Sequence, residues 1–238
     1  MHQRIQQHED GKFDHSKQKV DIQTNCIILI DVNEPIKIQM KKVLISYIFI
    51  LISSISYGQG RFDSALIPTK DGALFAFSDS TKSFTLDIVS DNIQPLEQRN
   101  FVMIDNWIFQ AFNIDFENPK NIDLTKEANI KKSISQYVKY ETDYFKKELK
   151  FPCDSLTLNW EKINGNYFCF WYFNTPDTIE SLKKQMYLTT ICYNQILNMN
   201  IPLEKGVDFK DGKQFLFKMA ETLKIYDKPI DFDARPEN

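Results

Sequence analysis

The segment Tyr167-Phe168-Cys169-Phe170-Trp171-Tyr172-Phe173 carries an apolar or aromatic side chain at every position. Successive residues of a strand point to opposite faces of a sheet, so a strand of this kind must be covered on both sides. Asn164-Gly165, shortly before it, is the dipeptide that best supports the two-residue turn of a hairpin. Upstream of that turn Leu156, Leu158 and Trp160 alternate with Thr157, Asn159 and Glu161, as in a half-exposed strand. The spacing predicts a hairpin in which Ile163 faces Asn166 and Trp160 faces Cys169, within a sheet that has helices above and below.

The helices are readable from their period. From Thr125 to Leu149, residues Ile130, Ile134, Tyr137, Val138, Glu141, Phe145 and Leu149 recur at three- and four-residue steps with lysines between them, which predicts a helix with one buried stripe. Asp123 or Thr125 is expected to cap its start, and Phe151-Pro152 to end it. A closing helix capped by Asp211 is predicted to bury Phe215, Leu216, Met219, Ala220 and Leu223, before a short polar tail. Further strands are expected at Ala73 to Phe77 and Ser83 to Ser90, over Asn100 to Phe116 with a break near Asp105-Asn106, and over Ser181 to Tyr193 and Gln195 to Ile201 with a turn near Asn194. Gln59 to Thr69 reads as a lead-in segment ended by Pro68 and the Lys70-Asp71-Gly72 turn.

Strand pairs, a long helix, four antiparallel strands and a closing helix make a single α+β domain, an antiparallel sheet sandwiched by helices (α/β/α). With Met186-Tyr187-Leu188-Thr189-Thr190 and the stretch from Phe215-Leu216 to Leu223-Lys224-Ile225, this order resembles the PsbP-like superfamily over most of residues 73 to 225. The resemblance implies a small exported protein with an antiparallel sheet between helices, in a group that includes assembly factors and partner-binding proteins. It carries no motif of catalytic or ligand residues, and fold likeness alone does not assign an activity.

A second signal concerns address. Met40-Lys41-Lys42 precedes an apolar run from Val43 to Ile52, and Ser53 to Gly58 follow as small and polar residues. A cationic start, an apolar run and a small residue before the cut describe a secretory signal peptide, here of the kind found in bacteria. The expectation is that Met40 initiates, that residues 1–39 are a non-native, disordered extension, that 40–58 are the signal and that 59–238 form the domain. The apolar run is too short for a stable membrane anchor, which takes about 20 residues, and no cysteine follows it for lipidation. A periplasmic or secreted protein follows from this reading.

Export sharpens what composition excludes. His2, His8 and His15 are the three histidines of the chain and all precede Met40, so the exported domain would lack the usual general base and the commonest transition-metal ligand. From Gln59 onward 22 basic residues stand against 26 acidic ones, a net charge of −4, with arginine only at Arg61, Arg99 and Arg235. That balance argues against nucleic acid as a partner. Cys153, Cys169 and Cys192 allow at most one internal disulfide. Cys153 and Cys169 would be roughly 23 Å apart along the hairpin, beyond bridging distance; Cys192 with either partner, or three buried thiols, stays open.

No dinucleotide fingerprint, Walker loop, zinc-protease motif or C-x-x-C occurs, so no catalytic, cofactor or metal residue is assigned. Two acidic clusters, Asp115 with Glu117 and Asp123, and Asp227 with Asp231 and Asp233, lack the spacing of a calcium loop. Exposed aromatic side chains mark contact surfaces, and Tyr140, Tyr144 and Trp107 are the candidates for a partner surface, with Tyr140 off the buried stripe of its helix. The function expected is a non-enzymatic protein-binding or assembly factor, its partner another exported or envelope protein. The alternatives are a histidine-free hydrolase using paired carboxylates, or an immunity or inhibitor protein with an acidic, aromatic face.

Overall fold

A computed structural model describes residues 62–98, 100–115, 122–153, 155–176, 179 and 181–232. The expected extension and signal peptide lie outside the described residues. The chain is α+β, mostly antiparallel sheet with two helices. Its elements are β1 (Asp63–Thr69), β2 (Gly72–Ser78), β3 (Ser83–Val89), β4 (Ile93–Pro95), β5 (Phe101–Ile104), β6 (Trp107–Asp115), α1 (Glu127–Lys147), β7 (Thr157–Ile163), β8 (Asn166–Asn174), β9 (Leu182–Cys192), β10 (Gln195–Glu204), α2 (Phe209–Glu221) and β11 (Lys224–Tyr226). They form a four-stranded sheet, β1-β2-β3-β11, and a seven-stranded sheet, β4-β5-β6-β10-β9-β8-β7.

The hairpin read from Asn164-Gly165 forms in the expected register, with Ile163 opposite Asn166 and Trp160 opposite Cys169. Asn164 and Gly165 both take positive φ, 48° and 86°, the backbone that lets a two-residue turn follow the twist of its strands. The unalternating strand becomes β8, between β7 and β9. Its two parities enter different cores. Cys169, Trp171 and Phe173 pack with Ile134, Tyr137, Val138 and Phe145 of α1, and with Tyr187 and Ile196. Phe168 and Phe170 join Leu188, Met199 and Ile201, Leu216 and Met219 of α2, and Phe75, Phe77, Phe84 and Leu86 of the smaller sheet. Burial of a large apolar side chain is worth about 1.5–3 kcal/mol, so β8 contributes to both cores at nearly every residue.

Several expectations are corrected. Asp63–Thr69 is a strand, not a lead-in: it pairs with β2 from Asp63 opposite Ser78 to Thr69 opposite Gly72. Pro68 is tolerated there because β1 is an edge strand, where a missing N–H breaks no ladder. The start of the expected polar tail supplies β11, which pairs with β3 through Lys224, Ile225 and Tyr226. One core therefore has a second sheet as well as a helix over it, where the sequence suggested helices alone. Neither Asp123 nor Thr125 caps α1: the N-cap is Lys126, with no side-chain bond, and the Asp123 carboxylate instead accepts from the N–H and hydroxyl of Thr125 in the preceding turn. The cap of α2 is Asp208, accepting from Lys210 N at 2.9 Å, and Asp211 sits in the first turn.

Candidate functional site

The layer between α1 and the larger sheet is polar to a degree its burial makes costly. Gln185, Tyr187 and Thr189 on β9, Asn198 and Asn200 on β10 and Gln110 on β6 are each no more than 2% exposed. Register places Asn200 opposite both Gln110 and Tyr187, and Asn198 opposite Thr189, so these side chains form a continuous band across three strands. Buried amides and hydroxyls are costly unless paired, and the band is organised to pair them.

Two chains of hydrogen bonds run through it. In the first, Trp171 Nε1 donates to Thr189 Oγ1 at 2.9 Å, that hydroxyl donates to Asn198 Oδ1 at 2.7 Å, and Asn198 Nδ2 donates to the Tyr137 hydroxyl on α1 at 3.2 Å. In the second, Gln185 Nε2 donates to Asn200 Oδ1 at 3.3 Å and Asn200 Nδ2 donates to Gln110 Oε1 at 2.8 Å. The second chain is open at both ends: Gln185 Oε1 and Gln110 Nε2 have no partner among the described residues.

Gln185 borders a cleft at the C-terminal end of α1. The cleft is small, with a cavity volume of about 20 Å³, room for about one water, and is lined by Phe145, Leu149, Phe151, Phe173, Thr175, Gln185 and Tyr187. The rings of Phe145, Phe173 and Tyr187 pack as a triangle with centroids 5.6, 6.3 and 6.0 Å apart. Thr175 donates its hydroxyl proton to Leu182 O at 3.0 Å, which leaves its oxygen an acceptor. The arrangement offers aromatic surface and hydrogen-bond acceptors, with no carboxylate, thiol or amine in the lining.

Burial also tunes nearby acids. Glu141 lies on the inner stripe of α1 between Tyr137 and Phe145, and desolvation pushes its carboxyl up to about 7. The Tyr137 phenol is pushed well above its ordinary value, first by burial and then by the Glu141 charge. Desolvation raises the Cys169 thiol to about 12 and drives Cys192 higher still. Both thiols are free, and Cys153 is buried.

The residues singled out as a partner surface are not brought together. Both tyrosines belong to α1: Tyr140 is exposed, at 46%, and Tyr144 is half-buried with its ring edge-on to Phe145, which lines the cleft. Trp107 stands on β6 and stacks on Phe215 of α2 with centroids 5.3 Å apart, on the other core. Of the acidic clusters, Asp115 accepts from Gln195 Nε2 and Asp227 from the Tyr193 hydroxyl, while Glu117 and Asp233 lie outside the described residues. No group of side chains suited to a metal ion occurs among the described residues. None of their helices is long and apolar enough to cross a membrane.

The buried amides escaped the reading of the sequence, though a signal exists. Gln185, Tyr187 and Thr189, and likewise Asn198 and Asn200, alternate with apolar residues, and the usual inference places such a polar parity in solvent. Here β9 and β10 are central strands, so the polar parity faces α1.

No protein-family model matches the sequence, and no curated protein matches it. Among solved structures, the solution structure of cyanobacterial PsbP (CyanoP) from Synechocystis sp. PCC 6803 shows a weak structural resemblance. The match covers 73% of this chain and 98% of that one, at 13% identity and a TM-score of 0.32.

Proposed function

We propose that the chain is an exported binding protein, engaging another exported or envelope protein through the end of α1 and the cleft beside it. The observation that carries this reading is the composition of the cleft, whose rings, aliphatic side chain, amide and hydroxyls suit recognition and supply neither a carboxylate pair nor a nucleophile with its base. Tyr140 and Tyr144 lie five and one residues before Phe145 on the same helix, Tyr144 edge-on to the Phe145 ring and Tyr140 exposed. Export is the part that rests on the signal read at residues 40–58, and the layered α/β/α arrangement, with the larger sheet between α1 and α2, is the fold that belongs with it.

The test is capture from the native periplasm or medium with the full-length product as bait, compared with a Tyr140→Ala/Tyr144→Ala pair and a Trp107→Ala control. A partner retained by wild type and by the control but lost by the tyrosine pair supports the reading. A partner lost only with Trp107→Ala moves the surface to the other core, and hydrolytic activity present in wild type and in both variants refutes a binding role. Intact-mass and amino-terminal analysis of the exported material is expected to find Gln59 first.

A further inference from the structure

We infer that β7 is a docking edge for a second copy of this chain, the two β7 strands pairing antiparallel about a two-fold axis at Trp160 and joining two larger sheets into one. This edge shares no residue with the cleft at the end of α1.

A sheet edge carries unpaired N–H and C=O groups, and proteins guard such edges by proline, brevity or cover. Three of the four edges here are guarded: β1 holds Pro68, β4 runs three residues and ends on Pro95, and β11 is three residues long. β7 is seven residues without a proline, and its register with β8 is unbroken. Among the described residues no other strand, turn or loop supplies a backbone hydrogen bond to its outer side. α1 packs chiefly over β8 and β9, and α2 over β9 and β10. Leu158 on this edge is exposed, at 37%.

The turn fixes which backbone groups point outward. Ile163 and Asn166 flank a two-residue turn, so they exchange hydrogen bonds, and in an antiparallel ladder such pairs alternate with pairs that do not. Thr157, Asn159, Glu161 and Ile163 therefore bond β8, while Leu158, Trp160 and Lys162 aim their N–H and C=O groups away from it. A two-fold axis at Trp160 sets Trp160 opposite its own copy and Leu158 opposite Lys162 twice, which pairs all three outward residues through about six hydrogen bonds. Charge selects this register. An axis at Glu161 or Lys162 puts like charges directly opposite, which destabilises a sheet, and an axis at Leu158 or Asn159 leaves Lys162 without a partner on β7. With the axis at Trp160, the Lys162 stem covers Leu158 on the α1 face, and Asn159 meets Glu161 on the α2 face. Glu161, paired with Lys213 of α2 at 3.2 Å, keeps acceptor capacity for that amide.

The experiment combines sedimentation equilibrium of the full-length product over about 5–500 µM, a range suited to an interface of one strand from each copy, with backbone N–H exchange of the ¹⁵N-labelled protein followed by NMR. Wild type is expected to pass from monomer to dimer. The N–H groups of Leu158, Trp160 and Lys162 should exchange at least about tenfold more slowly in the dimer, while those of Asn159 and Glu161 are protected throughout. Leu158→Lys sets a lysine against Lys162 of the other copy and is expected to weaken dimerisation about tenfold. Leu158→Lys combined with Lys162→Glu sets opposite charges there and is expected to restore it. Val89→Lys, at the exposed end of β3, should leave it unchanged. A wild type that stays monomeric at the top of the range overturns the pairing, as does a dimer in which the three outward N–H groups exchange as fast as in the monomer. Protection of those groups already in the monomer puts a segment of the same chain on the edge and excludes the second copy. A charge reversal that fails to restore the dimer overturns the register at Trp160. The exchange pattern is read on wild type, so it decides the matter even where a variant does not fold.

Discussion

The indole of Trp171 lies flat on the ring of Tyr187, with centroids 3.8 Å apart and planes 5° from parallel, while its Nε1 donates to Thr189 on the same strand as Tyr187. One side chain thus fixes the spacing of β8 and β9 through its face and their register through its edge. Cross-strand aromatic pairs stabilise a sheet by up to about 1 kcal/mol. The hydrogen bond adds a constraint on direction that stacking lacks.

Thr189 is the hinge of that arrangement, since its hydroxyl accepts from Trp171 and donates to Asn198. Thr189→Val keeps the shape and removes both bonds, leaving an indole N–H and an amide oxygen buried and unmatched. A loss of about 2–4 kcal/mol is expected, at 1–3 kcal/mol for each orphaned group. Thr157→Val, on edge strand β7, is the reference and should stay within about 0.5 kcal/mol of wild type. Urea unfolding midpoints measure both, and equal losses would show that the network adds nothing.

Gly72 is required by contact as well as conformation. Its φ is 149°, and a Cβ there would stand 2.0 Å from the carbonyl oxygen of Ile88 on the paired strand. Gly165 has φ 86° with nothing within 4 Å of the same added atom. Gly165→Ala should therefore cost only the left-handed backbone term, about 1–2 kcal/mol. Gly72→Ala adds displacement of β3, about 1–3 kcal/mol more. Thermal melts of the two variants are expected to rank in that order, and the reverse order removes the steric argument.

How far the sequence carries is clear from particular residues. The Asn164-Gly165 turn and the register that follows from it were legible because a two-residue turn leaves one pairing. The stripe of α1 was legible through Ile134, Tyr137, Val138 and Phe145, all buried as their period implies. β1 and β11 were hidden by Pro68 and by a polar context, because edge strands need neither alternation nor a full ladder. The cleft was hidden for a different reason. Phe145, Phe173, Thr175 and Gln185 come from different segments of the chain, and no local pattern records that they meet.

Cys169 and Cys192 are completely buried and their thiols are pushed up, Cys169 to about 12. The thiolate is the reactive form, so both should resist a thiol reagent such as DTNB in the folded protein at pH 8 and react promptly once urea unfolds it. Mass mapping of modified peptides identifies the sites. Labelling of either cysteine under native conditions, at a rate independent of unfolding, contradicts the burial that sets their chemistry.

Glu141 makes the stability of the protein depend on pH in an unusual sense. Its carboxyl rises from 4.5 to about 7 because burial penalises the charge, so between those values the folded state holds a proton that the unfolded state has lost. Stability from this group is greatest below pH 4.5 and falls as pH rises through about 7. A shift of this size corresponds to at most about 3 kcal/mol, less where water reaches the side chain. Asp123, Asp143 and Glu127, whose carboxyls are lowered chiefly by hydrogen bonds to Thr125, Lys139 and Lys131, act in the opposite sense and at lower pH. The difference between wild type and Glu141→Gln isolates the one residue. The variant should lose less stability than wild type between pH 5 and pH 8 and be the more stable protein at pH 8, measured by urea unfolding at each pH. A carboxyl resonance of Glu141 titrating near its ordinary value, with parallel pH profiles for the two proteins, would show that α1 leaves this side chain in water.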